Sequence, residues 1–230
     1  VIMFVPDPDN PGRSRQLMVL WSTKETPAIR VSGHWWKPGS RFSIDEDGGH
    51  VIPGMVCAWW YDGKRMYEPL VIRECRMALV NDEHPLWPAD GSGEGTGAII
   101  PILDEDFSLG MRPGNKGIWL CLTSDAEARA EGAPTSFEAE LTPWRGPPST
   151  LTYSNNVYGL DMGYDILRLQ GTKLKLKVDG EEFEGTAYFQ KVSVQAPSFP
   201  WFWGMLHFDD GSYVDWFKPH ATPGMTSMDD

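Results

Sequence analysis

Asp-Gly pairs at Asp62-Gly63, Asp179-Gly180 and Asp210-Gly211 divide long runs of β-branched, aromatic and aliphatic residues. Such a pair sets side by side two residues that tolerate positive φ, which a tight hairpin turn with the right twist demands. Before the second pair, Leu174, Leu176 and Val178 alternate with Lys173, Lys175 and Lys177. That period of two predicts an antiparallel strand with one face buried and one in water. The chain shows no sustained helical spacing; DAEARAE (125–131) predicts one short helical turn. With 24 Gly and 19 Pro closing nearly every run, the strands read as 16–23, 28–37, 51–61, 64–80, 117–123, 136–144, 164–178, 181–195, 201–208 and 213–218. The expected fold is all-β, antiparallel and meandering, as a barrel or a pair of small barrels.

Two stretches break this rhythm. Residues 82–100 are a Gly-rich segment longer than a simple connection, and its GSGEGTG (91–97) reads as a flexible flap. WRGPPSTLTYSNNVY (144–158) reads as a boundary. Together they predict two domains, 1–140 and 141–230.

The formal net charge of −12, from 20 Lys+Arg against 32 Asp+Glu, argues against a nucleic-acid partner or an anionic membrane surface. No run approaches the roughly 18–20 apolar residues of a membrane span. The chain starts at Val1 rather than Met, as it would after removal of an upstream segment, and the absence of any signal within it favours a cytoplasmic setting. Cys57, Cys75 and Cys121 stand in apolar runs and predict three buried free thiols. The five His are scattered without ligand spacing, so neither a metal nor another cofactor is expected. Motifs for a nucleophile elbow, a phosphate loop or a dinucleotide fold are missing. The outlier is Trp, with 11 residues, partly structural and partly what a large apolar ligand cavity would use.

Carboxylates inside aromatic runs are the candidates for chemistry. A two-residue loop at Asp62-Gly63 would pair Trp59 with Met66 and Cys57 with Glu68, giving a face of Met55, Cys57, Trp59, Met66, Glu68, Leu70, Ile72 and Glu74. Glu68 there is either a desolvated, protonated acid or the partner of a nearby arginine at a rim. In WFWGMLHFDDGSYVDWFKPH (201–220) a two-residue loop would put His207 and Asp215 on opposite faces. A three-residue loop would bring His207 beside Asp215 or Tyr213 on one face. Asp209 and Asp210 are turn residues by either register. The segment SNNVYGLDMGYD offers Tyr158, Asp161 and Tyr164 either as turn chemistry or as polar groups at a barrel mouth.

The succession EGTAYFQKVSVQAPSFPWFWGMLHFDDGSYVDWF (184–217), preceded by NNVYGLDMGYDILRLQG (155–171), resembles the AttH-type lipocalin-like family, which includes the carotenoid 1,2-hydratases. The resemblance covers the C-terminal third. It implies two lipocalin-like (calycin) β-barrels packed together, the first truncated at its start, around a hydrophobic cavity. It also implies acid-catalysed, cofactor-free addition of water to an isoprenoid double bond, or a related isomerisation or cyclisation. The positions carried over are Trp203, His207, Tyr213 and Asp215. With the reading of the residues themselves, the candidate catalytic groups are Asp215, His207, Glu68 and Tyr213. The candidate ligand contacts are Trp59, Trp203, Trp216, Tyr158, Tyr164 and Asp161. The expected partner is a hydrophobic, isoprenoid- or lipid-like small molecule. A non-catalytic carrier and a partner-binding β-barrel subunit are the alternatives.

Overall fold

The computed structural model describes residues 1–7, 9–10, 12–22, 29–31, 34–37, 43–80, 85, 97–99, 107–112, 117–126, 129–144, 149–151, 163–195 and 201–219. Among these the protein is all-β and antiparallel, without a helix. No helix among them is long and apolar enough to cross a membrane. The strands are β1 (Ile2–Val5), β2 (Arg15–Ser22), β3 (Ile29–Val31), β4 (His34–Trp36), β5 (Ser43–Ile44), β6 (His50–Tyr61), β7 (Met66–Val80) and β8 (Gly97–Ile99). They continue as β9 (Phe107–Arg112), β10 (Gly117–Thr123), β11 (Ser136–Pro143), β12 (Ser149–Leu151), β13 (Gly163–Val178), β14 (Glu181–Gln195), β15 (Trp201–His207) and β16 (Tyr213–Pro219). The chain divides into two compact units, Val1–Pro143 with Thr172–Ala187, and Trp144–Gly171 with Tyr188–Asp230. The division passes through both strands of the β13–β14 hairpin.

In the first unit the strand order is β8-β7-β6-β2-β1-β14-β13-β11-β10-β9. Apart from the inserted β3, β4, β5 and β12, strands adjacent in sequence are neighbours in the sheet, and β1 closes the path onto β14. The two end strands, β8 and β9, also lie beside one another. Three cross-strand rungs show why these residues take this arrangement. Ile118, Leu141 and Leu174 form one; Leu120, Ala139 and Leu176 the next; Leu122, Phe137 and Val178 the third. All nine are buried. On the opposite face Glu138 faces Lys177 and Glu140 faces Lys175, so alternation places apolar groups inside and pairs opposite charges outside. The same alternation turns Cys121 outward, against the expectation of three buried thiols; Cys57 and Cys75 are buried and Cys121 is exposed. The predicted helical turn is represented by one bond, from Arg129 N to Asp125 O at 2.8 Å.

The Asp179-Gly180 turn forms as the sequence predicts, with φ of 48° and 89°. The Asp62-Gly63 turn does not form a two-residue loop. Tyr61 pairs with Met66, Trp60 with Tyr67 and Ala58 with Val71, so Trp59 alone stands against Glu68, Pro69 and Leu70. Two local causes are visible. Asp62 Oδ1 accepts from the backbone N–H of Lys64 and of Arg65, both at 2.7 Å, which fixes a wider turn. Pro69 has no N–H to give to a ladder and is accommodated in a bulge. The carbonyl of Leu70, released from the ladder, accepts instead from Asp125 N at 2.9 Å.

Candidate functional site

The second unit contains the segment that drew attention in the sequence. Strands β15 and β16 form a separate two-stranded sheet, paired as Trp203 with Phe217, Met205 with Asp215 and His207 with Tyr213. The loop is therefore the three-residue one, Asp209-Asp210-Gly211. It is closed by Phe208 N to Ser212 O and by Gly211 N to Phe208 O, each 3.0 Å. Gly211 takes the left-handed position with φ of 77°, where a side chain would strain the turn. Asp210 Oδ1 accepts from Ser212 N at 2.8 Å, so this acid serves the turn. The odd loop length puts Trp203, His207, Tyr213 and Asp215 on one face of the hairpin.

That face meets the second unit's part of β13. His207 Nε2 lies 2.7 Å from the carbonyl of Gln170, which can only accept, so Nε2 carries the hydrogen. The cross-strand neighbour of His207, Tyr213, donates its hydroxyl to Gln170 Oε1 at 2.8 Å. Two residues earlier on β13, Arg168 places NH1 3.1 Å from Asp215 Oδ2. Asp215 Oδ1 accepts from the indole N–H of Trp203 at 3.0 Å. The Asp215 side chain is only 8% exposed.

Aromatic rings enclose these polar groups. Trp144 meets the His207 ring edge-on at 4.8 Å, and Tyr188 packs on Trp203 at 5.2 Å. Trp144 can approach because Gly171 is bare; a Cβ there would lie 2.0 Å from the Trp144 ring. Burial pushes His207 below its usual value, and the bond to Gln170 only partly restores it. Burial raises the Tyr188 phenol, with Asp215 adding to the rise and Arg168 opposing it, so Tyr188 is a neutral hydroxyl and donates to Gln190 Oε1.

Asp215 is placed as an acceptor, with an indole N–H on one oxygen and a guanidinium beside the other. Among the described residues, Oδ2 nevertheless has no hydrogen bond of good geometry, and neither has Arg168 Nε. The ion pair holds by proximity rather than by an aligned bond.

The opposite face of the same hairpin is apolar and exposed. Leu206 pairs with Val214, Gly204 with Trp216, and Phe202 with Lys218. Phe202 is 61% exposed, Leu206 51%, Val214 47% and Trp216 45%. Trp216 lies across Gly204 so closely that a Cβ there would sit 1.9 Å from its ring. The indole is thereby fixed flat with its outer face open.

The other candidates stand elsewhere. Glu68 is exposed in the first unit, on the bulge beside Pro69, so the apolar enclosure predicted for it does not form. Trp59 is half-buried in the first unit opposite Met18. Tyr164 belongs to β13. Tyr158 and Asp161 lie outside the described residues. Arg168 and Gln170, which organise the site, were not singled out from the sequence. Their only signal is the alternation in RLQG, where the buried Leu169 points one way and its two polar neighbours the other. No family model, no characterised protein and no solved structure matches this chain.

Proposed function

We propose that this protein is a lipocalin-like binder of an apolar, lipid- or isoprenoid-like small molecule, met in the second unit at the outer face of β15–β16. The observation that carries this reading is the exposed cluster of Phe202, Leu206, Val214 and Trp216, held rigid from behind by the His207–Gln170 and Asp215–Arg168 contacts. Single exposed apolar residues are ordinary, whereas a contiguous patch marks an interaction surface. A preorganised indole presents a large apolar area at little entropic cost. In the first unit, a closed up-and-down barrel is the form that the strand order favours, since β1 neighbours β14 and β8 lies beside β9. The barrel form and the apolar ligand are in keeping with the AttH-type resemblance, whereas the exposed binding face differs from the enclosed cavity that it implies.

Titration with the apolar fluorophore Nile red tests the binding. Saturable binding is expected, weakened about tenfold by Trp216→Ser, since losing a buried indole contact removes about 1.5 kcal/mol or more. Equal binding by the native chain and the variant removes the reading.

A second reading takes Asp215 as the acid of a cofactor-free hydratase. Its support is the orphaned Oδ2 of a nearly buried carboxyl beside the Trp203 indole. In that chemistry the Asp215 O–H gives its proton to an alkene carbon, aromatic faces stabilise the cation, and water adds and releases a proton. Asp215 would first have to part from Arg168. Unchanged turnover of prenyl alkenes by Asp215→Asn would remove Asp215 from such a mechanism.

A further inference from the structure

The outer face of β15–β16 is ordered by charge as well as by hydrophobicity. Along it, alternation lays Lys218 beside Phe202, Trp216 beside Gly204 and Val214 beside Leu206. Phe208 follows just past β15 and is 47% exposed. Lys218 stands at the open end of the hairpin and Asp209 and Asp210 at its turn, and all three are exposed. An apolar strip therefore runs between a cation and two acids. One such face covers one side of a ligand, whereas small-molecule sites bury roughly 70–90% of the ligand surface. The site is incomplete without a second wall.

We infer that this face takes a second copy of the chain, the two hairpins face to face and antiparallel, with the apolar ligand enclosed between them. The inference rests on the ligand-binding reading of the face and adds its second wall. Contacts between copies are most often two-fold, with the same patch on both sides. For two faces set against each other, the axis lies in the plane of contact and runs either along the strands or across them. Along the strands, it sets Lys218 against Lys218 and the acidic turn against the acidic turn, which repels at both ends. Across the strands, it sets Lys218 against the partner's acidic turn, twice over. The same rotation brings Trp216 opposite the partner's Val214. It also brings the partner's Leu206 opposite Gly204, where the Trp216 ring lies flat. Phe202, Leu206, Phe208, Val214 and Trp216, each about half exposed, offer roughly 500 Å² per copy and about 1,000 Å² for the pair. That is the low end of specific interfaces, so the dimer is weak, with a dissociation constant of about 10 μM expected.

Sedimentation velocity of the whole chain with and without Nile red tests this. At about 0.15 M salt the repulsion between copies of net charge −12 is confined to roughly 8 Å, while facing charges still meet. A shift from monomer to dimer is expected between about 1 and 100 μM protein, with the dye travelling in the dimer boundary. Trp216→Ser should weaken the dimer about tenfold. Lys218→Glu and Asp209→Lys, both at exposed positions, should each weaken it by about as much. An equal mixture of these two charge variants should restore it, because opposite charges then face each other at both ends. A chain that stays monomeric, a native-strength dimer from either charge variant alone, or no rescue in the mixture overturns the proposal. Dye carried by the monomer alone overturns the second copy and leaves the ligand reading standing. A rescued dimer that carries no dye upholds the second copy and removes the ligand reading.

Discussion

The polar contacts of the second unit depend on a few side chains whose replacement has different consequences. Arg168→Ala leaves Asp215 nearly buried without its cation, and removing one partner of a buried pair costs about 3–5 kcal/mol; with Arg168 partly exposed, the low end of that range is expected. Urea unfolding followed by tryptophan emission measures it. Asp215→Asn should be milder, because an amide oxygen still accepts the Trp203 indole N–H while only the ion pair is lost. A reverse order would mean that the pair contributes less than the indole bond. Gly204→Ala acts on the outer face alone. Its Cβ would meet the Trp216 ring, which must swing off the strand, and a red-shifted Trp216 emission with weaker Nile red binding is the expected outcome.

Among the elements, β10, β11 and β13 show how a period of two becomes a core. Leu120 belongs to a fully buried rung, and Leu120→Ala is expected to cost about 2–5 kcal/mol. On the outward face of the same strands, Glu138→Ala should change stability by less than about 0.5 kcal/mol. Urea midpoints of the two variants separate these cases. The turn of Asp179-Gly180 has a second task. Asp179 accepts from Thr135 N and Ser136 N at 2.9 and 2.8 Å and so fixes the start of β11. The hairpins differ instructively. At Asp179-Gly180 the alternation continues into the turn unbroken and the two-residue loop follows. At Asp62-Gly63 the flanking Asp62 bonds and Pro69 widen the turn and bulge the strand, so every side chain beyond them changes its expected partner. Pro69 was in plain view as a residue that cannot serve a central ladder, and with it the exposure of Glu68 could have been anticipated.

Across the whole chain, thiol chemistry reports the packing of the first unit's core. Burial pushes the Cys57 and Cys75 thiols up to about 12, whereas Cys121 faces outward on β10. At pH 8 one of the three cysteines should react promptly with a disulfide reagent, and all three after denaturation; three prompt equivalents in the folded state would contradict the packing. The all-β, antiparallel class, the Asp179-Gly180 hairpin and the buried face of β13 were legible in the sequence. Each rests on local chemistry, namely period-two alternation, positive-φ turn residues and the scarcity of helical spacing. Where the loop after Phe208 ends was not legible, since Asp210-Gly211 is compatible with two- and three-residue turns of opposite parity. The tertiary structure chose the three-residue turn, which places His207 and Asp215 on one face. It also supplied their partners, for His207 meets Gln170 across 37 residues of chain. No local propensity encodes such a meeting, because it depends on where the tertiary structure brings an imidazole on one strand against a backbone carbonyl on another.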